Sequence, residues 1–133
     1  MRIRRTSAAL GAALAFGAAA AAVPGPAEDY VLHCSACHQR DGAGVPGVVP
    51  PLSGLAPFLA TPAGRAYLVR VPGVAQAALD DERLAALLNW VMGAMSGKAP
   101  DPAYGAAEVH ALRADPLRDA PAQRKAVLER TAH

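Results

Sequence analysis

The chain has 133 residues, of which 53% are hydrophobic and 5% aromatic, and its formal net charge is +2. This length predicts one small domain with a modest hydrophobic core. Three arginines lie within the first five residues, and removal of residues 1–22 lowers the net charge to −1, which leaves no basic surface of the kind that binds nucleic acid.

Residues 1–22 have the organisation of a cleaved secretory signal peptide. Arg2, Arg4 and Arg5 form a positive region, and an alanine-rich apolar run follows from Ala8 to Ala22. The small residues at its end match a signal-peptidase site. The run is short for a membrane-spanning helix, so cleavage is favoured over a retained anchor. We therefore expect a periplasmic mature protein without stable membrane insertion.

The first predicted element of the mature chain is a helix that carries both cysteines. Pro26 suits the first turn of a helix, and the residues from Ala27 to about Cys37 predict its continuation. Tyr30, Cys34 and Cys37 share one face at helical spacing. This face is therefore expected to lie against whatever the cysteines bind.

Residues 34–38 form a Cys-x-x-Cys-His motif, which is typical of covalent c-type haem attachment. Two thiols three positions apart can each form a thioether with a vinyl group of the same porphyrin. The histidine that follows offers a ring nitrogen to the iron. We therefore predict one haem c, tethered by Cys34 and Cys37, with His38 as the proximal iron ligand.

Three other functions of a Cys-x-x-Cys pair fit this chain less well. A thioredoxin-like redox pair needs a βαβ context, and no strand pattern flanks these cysteines. A structural zinc site needs a second Cys or His pair, whereas His33, His110 and His133 are scattered. A disulfide would close a very small, strained loop and would leave the neighbouring His38 without a role.

Capping residues predict two further helices after a Gly- and Pro-rich loop at 39–51. Thr61-Pro62 supplies an N-cap and a first-turn proline for a helix that runs to about Arg70, where Pro72-Gly73 stops it. Asp80 caps the clearest helix of the chain, which Gly97 ends. The apolar residues of that helix recur at helical spacing and predict a buried face: Leu84, Leu87, Leu88, Val91, Met92 and Met95.

The C-terminal part is predicted to contain a short helix and a charged tail. Gly105 begins the helix, with Glu108 at the third position as a capping box, and Asp115-Pro116 ends it. Ala120 to His133 predicts a frayed helical tail. The chain is thus divided into a signal peptide at 1–22, one domain at 23–115 and the tail at 116–133.

Together these features resemble the class I cytochrome c family over about Pro26 to Ala114. Pro50 and Leu52 follow His38 by twelve and fourteen positions, as the family's proline and leucine do. The resemblance implies an all-α fold of four to five helices around one covalent haem. It also implies that the Pro50 carbonyl accepts a hydrogen bond from His38, and that Leu52 packs on the porphyrin.

The sixth iron ligand is the point at which the chain departs from the family. The family places a methionine in a loop ahead of its terminal helix, but residues 71–79, ahead of the helix that begins after Asp80, contain none. If the helix after Gly105 is the terminal one, Met95 lies ahead of it. We therefore predict Met95 as the distal ligand and Met92 as the alternative. A third possibility is that both methionines pack in the core and the iron is open.

Charged and polar residues around the expected haem have weaker assignments. Arg65 and Arg70 are candidates to pair with the haem propionates, although solvation at the surface is the simpler role for both. His110 is expected on a helix that crosses the first one, away from the distal face. Trp90 and Tyr67 are expected to pack rather than to relay electrons.

The resemblance implies an electron carrier, since no acid–base pair or nucleophile accompanies the haem motif. We expect single electrons to pass from a periplasmic dehydrogenase or membrane electron-transfer complex to an acceptor such as a terminal oxidase. The Gly/Pro loop around the haem edge would be the docking face for these partners. Two alternatives stay open: a haem sensor or small oxidase with an open iron position, and a dedicated cytochrome subunit of a dehydrogenase complex.

Overall fold

A computed structural model describes residues 22–132, so the predicted signal peptide lies outside the described residues except for its last position. Between these limits the chain is helical and contains no β-strand, which confirms the predicted all-α class. The elements are α1 (Pro26–His33), α2 (Ser35–His38), a 3₁₀ helix (Ala56–Ala60), α3 (Pro62–Arg70), α4 (Pro72–Ala75), α5 (Asp81–Ala94), α6 (Ala106–Arg113) and α7 (Ala120–Thr131).

The helix that carries the cysteines is broken in two at the first cysteine. α1 begins at Pro26, as predicted, and the Gly25 N–H donates to the Glu28 carboxylate. Cys34 has φ −124°, which interrupts the helix, and α2 follows as a single turn. Gln39, with φ +65°, ends that turn. The prediction of one continuous helix to Cys37 was therefore wrong at Cys34, and the two cysteines lie on separate helical segments.

α3 and α5 begin at the caps that the sequence predicts. The Thr61 hydroxyl accepts a hydrogen bond from the Gly64 N–H, and the Asp80 carboxylate accepts one from the Arg83 N–H. α3 ends at Arg70, but Pro72 does not stop helical structure, because it begins the short helix α4. A proline needs no N–H partner at the first position of a helix, so it serves equally well as a start signal.

α5 is the central helix of the fold. It packs against α1 on one side and against α6 on the other. Its predicted stripe is buried from Leu84 to Met92, whereas Met95 is the C-terminal cap and is only partly buried. The helix that crosses α1 is therefore α5 and not α6, which corrects the expected position of His110.

α6 is held against α3 and α5 by side-chain hydrogen bonds, and it lacks the predicted capping box. The predicted box is absent, because the Glu108 carboxylate accepts two hydrogen bonds from the Arg65 guanidinium instead. Just before the helix, the Asn89 side-chain amide pairs with both backbone groups of Tyr104, at 3.0 and 2.8 Å. These contacts fix α6 against α3 and α5.

The C-terminal segment is a folded helix and not a frayed tail. The Asp119 carboxylate accepts a hydrogen bond from the Ala122 N–H and caps α7. Val127 is only 1% exposed, and α7 packs on α3 and the 3₁₀ helix. The Leu117 N–H donates to the Arg70 carbonyl at 2.8 Å, which ties the linker to the end of α3. Burial of one apolar face explains why this short, charged helix is ordered.

Within residues 22–132, no helix is both long enough and apolar enough to cross a bilayer.

Candidate haem site

A cavity of about 890 Å³ opens between the helices, and its wall is mostly apolar. One part of the wall comes from α1, α2 and the loop at 43–55, and another comes from α3 and α4. α5 closes the interior end with Leu84, Leu87, Leu88, Val91 and Met92, and the first turn of α7 adds a further side. The volume and apolar wall suit a large, flat, hydrophobic cofactor.

The Cys-x-x-Cys-His residues lie together in the wall of this cavity. Cys34 is half-buried, Cys37 is exposed, and both are free thiols. Burial raises the pKa of the Cys34 thiol, and the nearby Asp29 and Cys37 add to the effect. Among residues 22–132, no three His, Cys, Asp or Glu side chains converge on a common point as metal ligands. The motif therefore has no arrangement for a zinc ion, which needs convergent ligands.

His38 is oriented by the backbone of the loop that follows it. Its Nδ1 lies 3.2 Å from the Pro50 carbonyl oxygen, and because a carbonyl only accepts, Nδ1 carries the hydrogen. Nε2 is then the unprotonated nitrogen, the form that ligates a metal. Burial lowers the pKa of His38, and the hydrogen bond to Pro50 partly offsets this effect.

The loop between His38 and Leu52 is closed by glycines in the left-handed region. Gly42 and Gly44 have φ of +74° and +69°. A Cβ on Gly44 would lie 2.3 Å from the Val49 carbonyl oxygen, so only glycine fits there. The Leu52 N–H donates to the Gly42 carbonyl at 2.8 Å. This geometry places Leu52 in the cavity wall, where it is 8% exposed.

Comparison with curated proteins identifies relatives of the same kind. Cytochrome c-552 from Thermus thermophilus is 37% identical over an alignment of 109 positions, and the match covers 63% of this chain and 81% of the relative. A second cytochrome c-552, from Thermus thermophilus strain ATCC 27634, is also 37% identical, over 72% of its length. No family model matches the chain.

The chain belongs to the class I c-type cytochromes. Its cofactor is therefore haem c, bound covalently, and as a monohaem cytochrome it carries electrons. The cavity and the motif in its wall fit this cofactor in size, polarity and chemistry.

The two methionines within residues 22–132 lie in different places. Met92 lines the cavity at its interior end and is 1% exposed. Met95 does not line the cavity, and its sulfur lies 3.0 Å from where a Cβ on Gly42 would be. Helical spacing places both on one stripe, and the Met95 N–H still donates to the Val91 carbonyl at the C-terminal cap of α5. The structure therefore brings Met92, rather than Met95, into the cavity wall.

The short segment between α3 and α5 is held from outside the cavity by one arginine. The Arg113 guanidinium donates to the carbonyl oxygens of Ala75, Ala77 and Leu79, at 2.9, 2.6 and 2.7 Å. It also donates to the Asp81 carboxylate at 3.1 Å. Sequence reasoning assigned Arg113 no role, because its partners lie more than 30 residues away and leave no local pattern.

The arginine in the cavity wall is Arg124 of α7, which sequence reasoning also missed. Its guanidinium carbon lies 4.9 Å from the centre of the Phe58 ring. Arg65 and Arg70, the sequence candidates, do not line the cavity and pair with Glu108 and Asp115. The tail was expected to be frayed, so nothing in the sequence pointed to a cavity residue there.

The remaining sequence candidates are packing or surface residues. Tyr67 lines the cavity and stacks on Phe58 with ring centres 5.0 Å apart. Trp90 is partly buried beside Tyr30. His110 is exposed on α6, and its Nδ1 lies 2.8 Å from the Asp81 carboxylate. His110 is thus outside the cavity.

Proposed function

We propose that this cytochrome is exported and carries single electrons in the periplasm, between a dehydrogenase or membrane complex and an acceptor. The observation that carries this proposal is the His38–Pro50 pair in the wall of a large apolar cavity. That pair presents one ring nitrogen in a defined orientation, which keeps an axial ligand fixed while the charge of the site changes.

In this proposal Cys34 and Cys37 are the tethers and His38 is the proximal ligand. Haem c supplies a one-electron redox centre when bound. Cys34 ends α1 and Cys37 lies in α2, so the break in the helix places the two thiols on separate backbone segments. Leu52, with the aliphatic face of α5, excludes water from the cavity and lowers the local dielectric constant.

Arg124 is the residue that we propose as a partner of a haem propionate. It lines the cavity, and within the described residues its side chain makes no ion pair. Its position over Phe58 holds the guanidinium at the wall through a cation–π contact. A propionate would supply the carboxylate that this arginine lacks.

The docking face of the carrier is proposed to be the loop around the cavity mouth. Val48 lines the cavity and is 78% exposed, and Val45 on the same loop is 37% exposed. Exposed valines in a Gly/Pro loop form a small apolar surface of the kind used in brief redox encounters. The alternative of a dedicated subunit gains no support from α7, which packs on the core of its own chain.

Covalent attachment is tested by acid–acetone extraction of the purified exported protein. The colour should stay with the wild-type protein, and Cys34→Ser or Cys37→Ser should sharply reduce the yield of coloured protein. Ser35→Ala is the matched control, because Ser35 lies between the cysteines and is expected to leave attachment unchanged. Complete extraction of haem from the wild type would contradict the proposal.

Export is tested by N-terminal sequencing of the protein from the periplasmic fraction. The expected first residue lies between Val23 and Glu28, because the proposed cleavage follows Ala22. An intact Met1 in the membrane fraction would show that residues 1–22 are an anchor.

A further inference from the structure

We propose that Asp29 and Arg83 form a charge pair that sets the reduction potential of the haem site. In this pair Arg83 is a positioning residue, which holds the Asp29 carboxylate and cancels its charge at the haem. The proposal rests on the proposed function, because it assumes that the haem lies in the cavity beside Cys34 and His38.

Asp29 stands out in this fold because its charge is buried. Within the part of the chain that the structure describes, it is the only charged residue that is fully buried, with 1% of its surface exposed. An isolated carboxylate in such a place is strongly unfavourable, because it loses its hydration. A partner of opposite charge is therefore required.

Arg83 supplies that partner from the first turn of α5. Its Nη2 donates to Asp29 Oδ1 at 2.5 Å, and its Nε donates to Asp29 Oδ2 at 3.3 Å. These two bonds make a forked contact that engages both carboxylate oxygens. The Arg83 N–H also donates to the Asp80 carboxylate, so the backbone that carries the guanidinium is held by the cap of α5.

The pair lies directly behind the wall of the cavity. Tyr30 follows Asp29 and Leu84 follows Arg83, and both of these neighbours line the cavity and are 1% exposed. Burial raises the pKa of the Cys34 thiol, and the charge of Asp29 raises it further. The field of the Asp29 carboxylate therefore reaches the residue that we propose as the first haem tether.

An unbalanced carboxylate at this place would disfavour reduction, because reduction adds one negative charge to the site. Two like charges roughly 10 Å apart, at an effective dielectric constant of about 20, repel each other by more than the thermal energy. The Arg83 guanidinium opposes this field from a similar distance. Arginine suits the role because its side chain stays protonated.

A purely structural role, in which the pair only fastens α1 to α5, is the alternative. The two helices also pack against each other through other residues. The roles predict different results, because loss of either partner weakens a structural contact in the same sense. Loss of opposite charges, in contrast, shifts a reduction potential in opposite directions.

The test is the reduction potential of four purified holoproteins: wild type, Asp29→Asn, Arg83→Met and the double variant. Asp29→Asn leaves the guanidinium unbalanced and should raise the equilibrium constant for reduction about tenfold, which is 59 mV for one electron. Arg83→Met should lower this constant about threefold or more, since partial proton uptake by an unpaired buried carboxyl opposes the shift. The double variant should lie between the two single variants, within about twofold of the wild type.

Exposed charges provide the matched controls. Glu28→Gln removes a negative charge directly beside Asp29 on α1, and Arg118→Met removes a positive charge from an exposed site. Both should change the equilibrium constant by less than about twofold, because water and salt screen exposed charges. A shift in Asp29→Asn no larger than that in Glu28→Gln would overturn the proposal.

Arg83→Lys keeps the test decisive if Arg83→Met does not fold. Lysine retains the charge but not the fork, so the potential should stay close to that of the wild type while Asp29→Asn still shifts it upward. Shifts of the same sign in Asp29→Asn and in Arg83→Met would favour the structural role and overturn the proposal. So would a shift in Arg83→Lys as large as that in Asp29→Asn.

A pyridine haemochrome spectrum of the wild type keeps the proposed function separate from this test. That spectrum reports the thioether links by themselves, whereas the potentials report the charges near the cavity whether or not the haem is tethered. A spectrum without the c-type form would contradict attachment through Cys34 and Cys37. The signs of the shifts in the single variants would still support or overturn the charge pair.

Discussion

The two walls of the haem cavity are built in opposite ways. The wall from Cys34 to Leu52 points polar groups inward, with the His38 ring held by the Pro50 carbonyl and the chain folded tightly through Gly42 and Gly44. The wall from 71 to 79 presents only aliphatic groups to the cavity and makes its polar contacts outward, to Arg113.

This difference shows that the two walls are held in place by different kinds of contact. The first wall is local, because His38 and Pro50 are twelve residues apart and glycines close the loop between them. The second wall depends on α6, whose Arg113 comes from more than 30 residues further along the chain. We expect substitutions in the two walls to separate haem ligation from access to the cavity.

The largest effect is expected from Gly44→Ala in the first wall. The added Cβ would lie 2.3 Å from the Val49 carbonyl oxygen at a φ of +69°, so the loop must shift. We expect a loss of roughly 3 kcal/mol in the free energy of unfolding, measured by urea denaturation. Gly47→Ala is the control: it has a similar φ of +75° but open space around it, and should cost about 1 kcal/mol. Equal losses would show that contact with Val49 is unimportant.

The second effect concerns the outward contacts of the other wall. Arg113→Met removes the donors for the carbonyls of Ala75, Ala77 and Leu79, and should cost about 2 kcal/mol in the free energy of unfolding. Arg118→Met is the control at an exposed site. If both variants behave alike, Arg113 does not hold the wall.

A smaller effect is expected at Arg124, where the cavity meets α7. Loss of a positive charge near the haem favours the oxidised, more positive state, so Arg124→Leu should lower the reduction potential. The shift should be about 20–40 mV for a unit charge acting over roughly 10 Å near solvent. Arg124→Lys should retain most of the potential, and Arg130→Leu, exposed on the same helix, should leave it unchanged. Similar shifts for Arg124→Leu and Arg130→Leu would contradict a propionate contact.

The smallest effect is a pH dependence at Asp81, beside the second wall. Hydrogen bonds from His110, and then from Arg113, lower the pKa of the Asp81 carboxyl in the folded protein. A lowered folded-state pKa stabilises the protein above the carboxyl's ordinary pKa, and the stabilisation is lost as pH falls through the folded-state value. The difference in urea midpoint between wild type and Asp81→Asn should therefore shrink in acid.

Glu82→Gln is the control for Asp81→Asn. Both substitutions remove one negative charge from the first turn of α5, but Glu82 is exposed and makes no hydrogen bond or ion pair within the described residues. A pH-dependent difference of the same size in Glu82→Gln would assign the effect to the helix dipole rather than to His110 and Arg113.

Several features of this cytochrome could be predicted because their causes are local. Thr61 and Asp80 cap their helices with N–H groups three residues away, and the stripe of α5 from Leu84 to Met92 follows helical spacing. The Cys-x-x-Cys-His motif also has a short, recognisable spacing. Interactions within one turn leave a pattern that a single sequence displays.

Other features were decided by contacts between distant elements. Met95 continues the stripe of α5 by its spacing, but its sulfur packs beside Gly42, more than 50 residues earlier, and does not line the cavity. Glu108 has the spacing of a capping box, but its carboxylate pairs with Arg65. In each case a strong tertiary contact replaced a weak local preference.

What the sequence by itself determined is the helical class, the main caps, the family and the place of the haem motif. Only the tertiary structure decided which helix crosses α1, which methionine lines the cavity and which arginines hold or border it. The physical reason is that Arg113 and Arg124 act on partners brought together by packing, and an arginine in a polar helix looks the same in the sequence whether it faces solvent or a cavity.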